Sequence, residues 1–596
     1  MDTSSTSPDR KVDDLSHVEQ VHTNEKVPGH PNYYEKDGLR TYGDGEDHDV
    51  EPPMTVNRAL SLVAMAFLWT GSQVPVYILG AVPPYIYADI GGVDRWVWFV
   101  LAYLLALAAI CPFVGSVSDL IGRRWVSLIG SGLLVIAMIV CGVAKSMGVF
   151  IAGMTLSGIG AGICELTALA ATSELAPTRK RGQYVAVLVF TIIPFCPSVL
   201  WAQLIAYHAG WRYCALLCGV WAAIGFIGVA VFYFPPARPN SRGLSRKEVI
   251  SEIDFVGGGL SITGMILFLA GLQWGGYQYP WTSAHVLAPL FIGAILLFVL
   301  FPIWEIKFAK FPMFPSRMKK EARILTLTLL ITAISGANFF SVDFNNQYTF
   351  TNENFRFWPT QAFNVYGHDP IGVGIRGIPI GFSILVGACI VLWLLSALRG
   401  YNRELLVASS VIMTAGCGAL AFADRDNLNQ VWVILVVAGL GIGGIVVPAS
   451  IITTIICPDD IIATVTALTL SIRVIGGCIG YTTYYNVFAN KFVPNATKYI
   501  GGTMALRLGI TNTTHITHAI EYTAASLLPL LNTIPGIAGN ETAYAMVVQA
   551  GQVAYAESYK YVYYVSIAFG VISIIASAFL GNINKYMDDH VAVIIH

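Results

Sequence analysis

Glu165 stands deep inside a long apolar run that ends at Glu174, and Arg473 stands well inside another near the far end of the chain. A charged side chain at mid-bilayer is costly, so such a residue marks a pathway, a proton relay or a paired contact by default. Glu165 and Glu174 are nine residues apart, which at about 100° per residue puts them on opposite faces of one helix. They need different roles. Glu174 sits at the end of the run, among other charges. Glu165 has two readings: a carboxyl on a pathway, or one held by a structural hydrogen bond between helices. Burial disfavours the charged form of a carboxyl, which suits a group that loads a proton on one side and releases it on the other. Gln73, beside the bend expected at Pro75, is expected to line the same cavity. Arg473, followed by Gly476 and Gly477, either binds an anionic group or partners a carboxylate across the bundle.

Two charged strings punctuate the first half of the chain. One is Gly115-Ser-Val-Ser-Asp119-Leu-Ile-Gly122-Arg123-Arg124, and the other is Glu174-Leu-Ala-Pro177-Thr-Arg-Lys-Arg181-Gly182. Glycine lets two helices meet in a tight turn, and Asp119 at a helix end can pair with cations or with the N-terminal dipole of a neighbour. The plainer reading is an ordinary charged loop. The sharper one is a latch in which Asp119, Arg123 and Glu174 hold one conformation closed, with Arg124 and Arg181 in the same cluster. No nucleophile–base pair stands out. The ten cysteines all lie in or beside apolar runs, and none pairs with His at metal-ligand spacing. The expectation is a protein with no enzymatic activity, metal or cofactor, whose partners are a small molecule, protons and lipid, not nucleic acid.

The elements that position these groups follow from composition. Of 596 residues 55% are hydrophobic and only 12% charged, with a mean hydropathy of +0.63. A soluble surface needs roughly a quarter charged residues. The first 54 residues hold 13 of the 36 acidic and 5 of the 35 basic residues, leaving 23 acidic and 30 basic, a net +7, for the rest. Residues 1–54 therefore read as a disordered cytoplasmic tail. Runs long enough to span a bilayer begin near Ala59, Trp96, Trp125, Val149, Gln183 and Tyr213, giving a six-helix bundle over 55–236. Basic linkers and two further runs, Phe255 to Gly275 and Ala284 to Trp304, fill 237–320. Six more begin near Ile324, Arg376, Leu405, Val431, Thr464 and Tyr561, giving a second bundle over 321–596.

Alternation of about fourteen helices puts Arg123, Arg124, Arg179, Lys180, Arg181, Arg399, Arg403 and Lys585 on one side, with both termini. The positive-inside rule makes that side cytoplasmic. The opposite connection 489–560 is long and carries sequons at Asn495, Asn512 and Asn540, which suits an outer, glycosylated loop. The polar stretch Val342 to Arg356 reads either as a loop extension or, from codons compatible with a short intron, as an unspliced segment.

Between the second and third helices, the string from Gly115 to Arg124 resembles the signature loop of the major facilitator superfamily, and Glu174 to Gly182 resembles its second inner element. Asp254-Phe-Val-Gly-Gly-Gly and Gly271-Leu-Gln-Trp274 resemble the extra helix pair of fourteen-helix drug:proton antiporters. Phe357-Trp-Pro-Thr-Gln, Asp369-Pro-Ile-Gly-Val-Gly-Ile-Arg376 and Ser471-Ile-Arg473-Val-Ile-Gly-Gly are similar to the fungal trichothecene efflux pump family, from about Met54 onward. The resemblance implies an all-α polytopic membrane fold of two six-helix bundles plus two helices. It also implies proton-coupled export of a bulky secondary metabolite, toxin or drug, by a monomer in the plasma membrane, or alternatively import of an iron–siderophore by the same fold. The chain departs from the antiporter pattern in three places. Pro75 stands where helix 1 usually carries Asp, Met154 where helix 4 carries Arg, and Thr191-Ile-Ile-Pro194-Phe-Cys-Pro197 where helix 5 carries a glycine-rich motif.

Overall fold

The computed structural model describes residues 34–36, 39–41, 48–92, 95, 97–236, 245–276, 278–315, 318, 321–342, 361, 364–367, 370–524 and 527–595. Residues 343–356, the body of the stretch read as loop or intron, lie outside these, as does most of the tail 1–54. Within that tail a short hairpin pairs β1 (Tyr34–Lys36) with β2 (Leu39–Thr41). Its last residues are not a loose tail, because His48 is buried and its Nδ1 lies 2.8 Å from the Val591 carbonyl oxygen.

Among the described residues, thirteen helices are long and apolar enough to cross a membrane. The first bundle holds α1 (Val56–Leu79), α2 (Val97–Ile121), α3 (Arg123–Val143), α4 (Met147–Leu175), a broken α5 and α6 (Arg212–Phe232). A pair follows, α7 (Phe255–Trp274) and α8 (Ala284–Lys307). The second bundle holds α9 (Ala322–Val342), α10 (Pro370–Ala397), α11 (Asn402–Ala419), α12 (Leu428–Ile456), α13 (Asp459–Arg507) and α14 (Glu541–Ala578). In the first bundle α4 packs against α1, α2 and α3, and in the second α12 packs against α10 and α11 while α13 packs against α9 and α14. The bundles meet where α2 crosses α13 and where α5 meets α10.

The α5 pass differs from the single helix that its apolar run suggests. It consists of Arg181–Phe190 and Ser198–His208, separated by a 3₁₀ turn at Ile193–Phe195. Pro194 and Pro197 lack the amide hydrogens a continuous helix needs, and their rings clash with the preceding turn. Irregular backbone at membrane depth survives where it is buried in protein or lines a cavity. That is where this break lies.

Two further boundaries move. The expected loop 489–560 is largely helical, since α13 continues to Arg507 and α14 starts at Glu541, well before Tyr561. Phe488, Phe492, Tyr555 and Tyr559 zip these extensions together, with ring centroids 4.5 Å apart for Phe492 and Tyr555. Only the stretch between them, with a short helix at Thr513–Ala524, connects the two.

The α7–α8 pair sits at the seam beside α2 and α13. Asp254 caps α7 by accepting the Gly257 amide at 2.8 Å, and it also accepts the Trp304 indole N–H at 3.0 Å, which ties the two helices at one end. The far side of α8 exposes Phe291, Ile295, Phe298 and Ile306, a face that lipid covers.

Candidate functional site

A cavity of about 190 Å³ lies between the bundles. Its walls come from α1 (Trp69, Gln73, Tyr77), α2 (Tyr103, Leu107), the α5 break (Ile192, Phe195, Ser198), α9 (Phe339), α10 (Ile384), α12 (Val446) and α13 (Arg473). Most of the lining is apolar or aromatic. Glu165 enters from α4 and Arg473 from α13, and the guanidinium Nη2 donates to Glu165 Oε1 at 2.7 Å. Of the two readings of Arg473, the carboxylate partner across the bundle is the one seen. The pair is thus a charged bridge between the two halves at cavity level.

Backbone packing sets this geometry. At Gly336 on α9 a Cβ would fall 2.1 Å from the Arg473 carbonyl oxygen, so α9 can lie against α13 there only without a side chain. Tyr103 donates its hydroxyl to the Ser72 carbonyl at 2.7 Å, and the Gln73 amide donates to Ser72 Oγ at 3.1 Å. These bonds fix the α1 turn before Pro75 against α2. The buried Trp69 indole N–H and the Ser198 hydroxyl have no hydrogen-bond partner among the described residues. Both residues line the cavity, with these two polar atoms buried in its wall.

A second constellation closes the seam at the end where the two described terminal segments meet. Arg123 is fully buried and binds Asp119, Glu174 (Nε to Oε1 3.0 Å) and Ser118 Oγ (3.0 Å). The Asp119 carboxylate crosses to the other bundle. It accepts from the Thr464 amide at 2.8 Å, the Thr464 hydroxyl at 2.7 Å and the Ala463 amide at 3.2 Å, at the N-terminal end of α13. Arg181 crosses the opposite way, donating to the Thr454 carbonyl at 2.5 Å and reaching Asp459 Oδ1 at 3.3 Å. A carboxylate on a helix N-terminus and a guanidinium on a helix C-terminus both match the helix dipoles. Gly115 brings α2 and α13 together, since a Cβ there would sit 2.6 Å from the Ala467 Cβ. Gly122, at φ 103°, takes the left-handed turn into α3 that other residues resist.

Residues 60–596 match the family described as fungal trichothecene efflux pump. The chain belongs to that family. It is therefore a multi-pass membrane transporter of the major facilitator type and not an enzyme. Relatives include the "MFS-type transporter ucsD" of an Acremonium species, 28% identical over 72% of this chain and 71% of its own length. The "Trichothecene efflux pump TRI12" of Fusarium sporotrichioides is 24% identical over 85% of this chain and 83% of its own. Among solved structures, the human organic anion transporter MFSD10 (TETRAN) superposes with a TM-score of 0.51, covering 87% of this chain and all of that one. At 11% identity that likeness concerns the fold.

Within this family frame, the other expected site residues fall in different places. Arg124 is not in the Arg123 cluster. It turns outward to donate to the Ala230 carbonyl at 3.1 Å and covers the Phe234 ring at 3.8 Å, so it anchors the end of α6. Asn512 and Asn540 are exposed, whereas Asn495 lies in helical α13 and donates its amide to Ser558 Oγ at 2.9 Å. Asp459 and His590 went unread in the sequence. Asp459 follows Pro458 between two apolar runs, as Arg181 follows Pro177, and both prolines precede a 3₁₀ turn into the next helix. That repeat of Pro, turn and charge was the available signal.

Proposed function

We propose that this chain is a proton-coupled exporter of a bulky, largely apolar secondary metabolite such as a trichothecene-like toxin or a drug. It works as a monomer in the plasma membrane, with both termini and the gate cluster cytoplasmic. The observation that carries the reading is the Glu165–Arg473 bridge across a largely apolar cavity. Because the two charges satisfy each other, the cavity offers no net charge to a ligand. What remains on offer is a largely apolar and aromatic surface, which fits a bulky apolar molecule. Family membership and the efflux pumps among its relatives support export.

Coupling follows from the same pair. Protonation of Glu165 removes the charge that holds Arg473, so the bridge between bundles weakens and the bundles can rock about the site. Deprotonation on the other side restores it. The inner latch of Asp119, Arg123, Glu174 and Arg181 stabilises the outward-facing state.

Glu165→Gln is the test, in vesicles that accumulate a terpenoid toxin against a pH gradient. The variant should lose gradient-driven accumulation while retaining counterflow exchange. Undiminished accumulation by the variant moves the coupling site elsewhere. Rescue of iron-starved cells by a supplied siderophore, with no change in toxin resistance on deletion, would replace export with the import reading.

A further inference from the structure

The gate cluster is covered by a strand of chain that the transport mechanism has not yet used. Residues Met587–Ile595 leave the end of α14 and run across the seam, where Val591, Ala592, Val593 and Ile595 are buried. Their backbone is tied to the first bundle. The Thr178 amide donates to the His590 carbonyl at 2.9 Å, Arg179 N to the Asp588 carbonyl at 2.9 Å, and Val593 N to the Glu174 carbonyl at 3.1 Å. Val591 N donates to the His48 carbonyl at 2.8 Å, which adds the segment before α1 to the same seam. The His590 ring joins both sides: Nε2 lies 2.7 Å from Asp459 Oδ2 and Nδ1 2.9 Å from Asp49 Oδ1. Asp459 is the residue that Arg181 reaches from the other bundle.

We propose that Met587–Ile595 is a removable seal on the gate: it must lift before the bundles part at this end, and His590 is the residue that positions it. Three observations converge. The segment bonds to Glu174 and Thr178, within the same string that supplies Arg181, so the first bundle cannot swing away without breaking those bonds. His590 occupies the second oxygen of Asp459 while Arg181 occupies the first, which makes the strap a third member of the inter-bundle contact. Arg123, Glu174, Arg181 and Asp459 are almost wholly shielded from solvent at an end that faces water, and the strap lies on that side. The inference rests on the alternating-access reading above, but its test does not need transport.

Cys457 is a natural reporter, buried two residues before Asp459 at the end of α12. The full-length protein in lipid nanodiscs, with both faces open to solvent, is treated with a charged, membrane-impermeant maleimide. Modification of each cysteine is then read by peptide mass spectrometry. His590→Ala removes the two ring contacts, and Val593→Pro removes the donor to Glu174. Each should raise the rate of Cys457 labelling roughly tenfold, the change in an opening equilibrium expected from losing one or two buried hydrogen bonds. Cys214 and Cys218, buried at the other end on α6, should stay protected. Wild-type protection of Cys457 in both variants overturns the proposal, and so does exposure of Cys457 together with Cys214 and Cys218, which reports general unfolding. Absence of transport by the wild type, with selective Cys457 exposure in the variants, counts against the exporter reading and leaves the seal standing.

Discussion

A guanidinium among apolar helices needs an anion within reach, and Arg473 finds Glu165 across the bundle. Each of the two was legible in the sequence as a charge out of place, because charge among apolar residues is a strong local signal. Their pairing was not, since 308 residues separate them and no local pattern fixes how α4 and α13 rotate toward each other. That rotation depends on close backbone contacts such as Gly336 against the Arg473 carbonyl. The pair also bears on stability. Removing one partner strands the other charge, at a cost of about 3–5 kcal/mol, whereas replacing both with apolar groups of similar volume is often neutral. Glu165→Leu and Arg473→Met should therefore each lower the thermal midpoint of the purified protein, and the double variant should recover most of the loss. Additive losses in the double variant would show that the two side chains act separately.

At the scale of elements, the sequence located almost every helix but missed what breaks and joins them. Hydropathy reports burial in lipid or protein alike, so it carried the α5 run straight through Pro194 and Pro197 and stopped α13 near the membrane edge. The continuation of α13 to Arg507 depends on its aromatic contacts with α14, a tertiary effect. The gate was legible to the extent that it is local. Asp119, Arg123 and Glu174 lie within two neighbouring strings of the sequence, but the reach of Asp119 to Thr464 and the N-terminus of α13 is a long-range pairing. Bonds to a charged acceptor are worth about 1.5–3 kcal/mol each, and Asp119 accepts three from α13. Asp119→Asn weakens all three without changing volume, so it should cut transport at least about tenfold with expression intact. Gly115→Leu should act similarly by prising α2 from α13. Near-normal flux in both variants would mean that this contact does not govern the cycle.

Across the whole molecule, the proposed orientation rests on the distribution of charge and sequons. Arg123, Arg179, Lys180, Arg181 and Lys585 gather at the end where the segments around His48 and His590 meet, while Asp89, Asp424 and Asp426 lie at connections toward the other end. On the orientation proposed from the positive-inside rule, the first end is cytoplasmic and the connection between α13 and α14 lies outside, where glycans are added. The three sequons there are not equivalent. Transfer of a glycan needs an accessible side-chain amide in a chain that can bend into the transferring enzyme. Asn495 is half-buried within a helix, with its amide already donating to Ser558. Asn512 is exposed in a turn, its Oδ1 accepting the Thr514 amide at 2.9 Å, and Asn540 is exposed at the start of α14, its Oδ1 accepting the Ala543 amide at 3.1 Å. In both, the oxygen makes the local bond, and the amide nitrogen has no hydrogen-bond partner among the described residues. Protein from fungal membranes should therefore lose mass on N-glycosidase treatment. Asn512→Gln and Asn540→Gln should each remove one glycan, and Asn495→Gln none. A chain that carries no glycan at all would reverse the orientation argued from charge, and a glycan at Asn495 would show that the α13 extension is not helical when the chain is made.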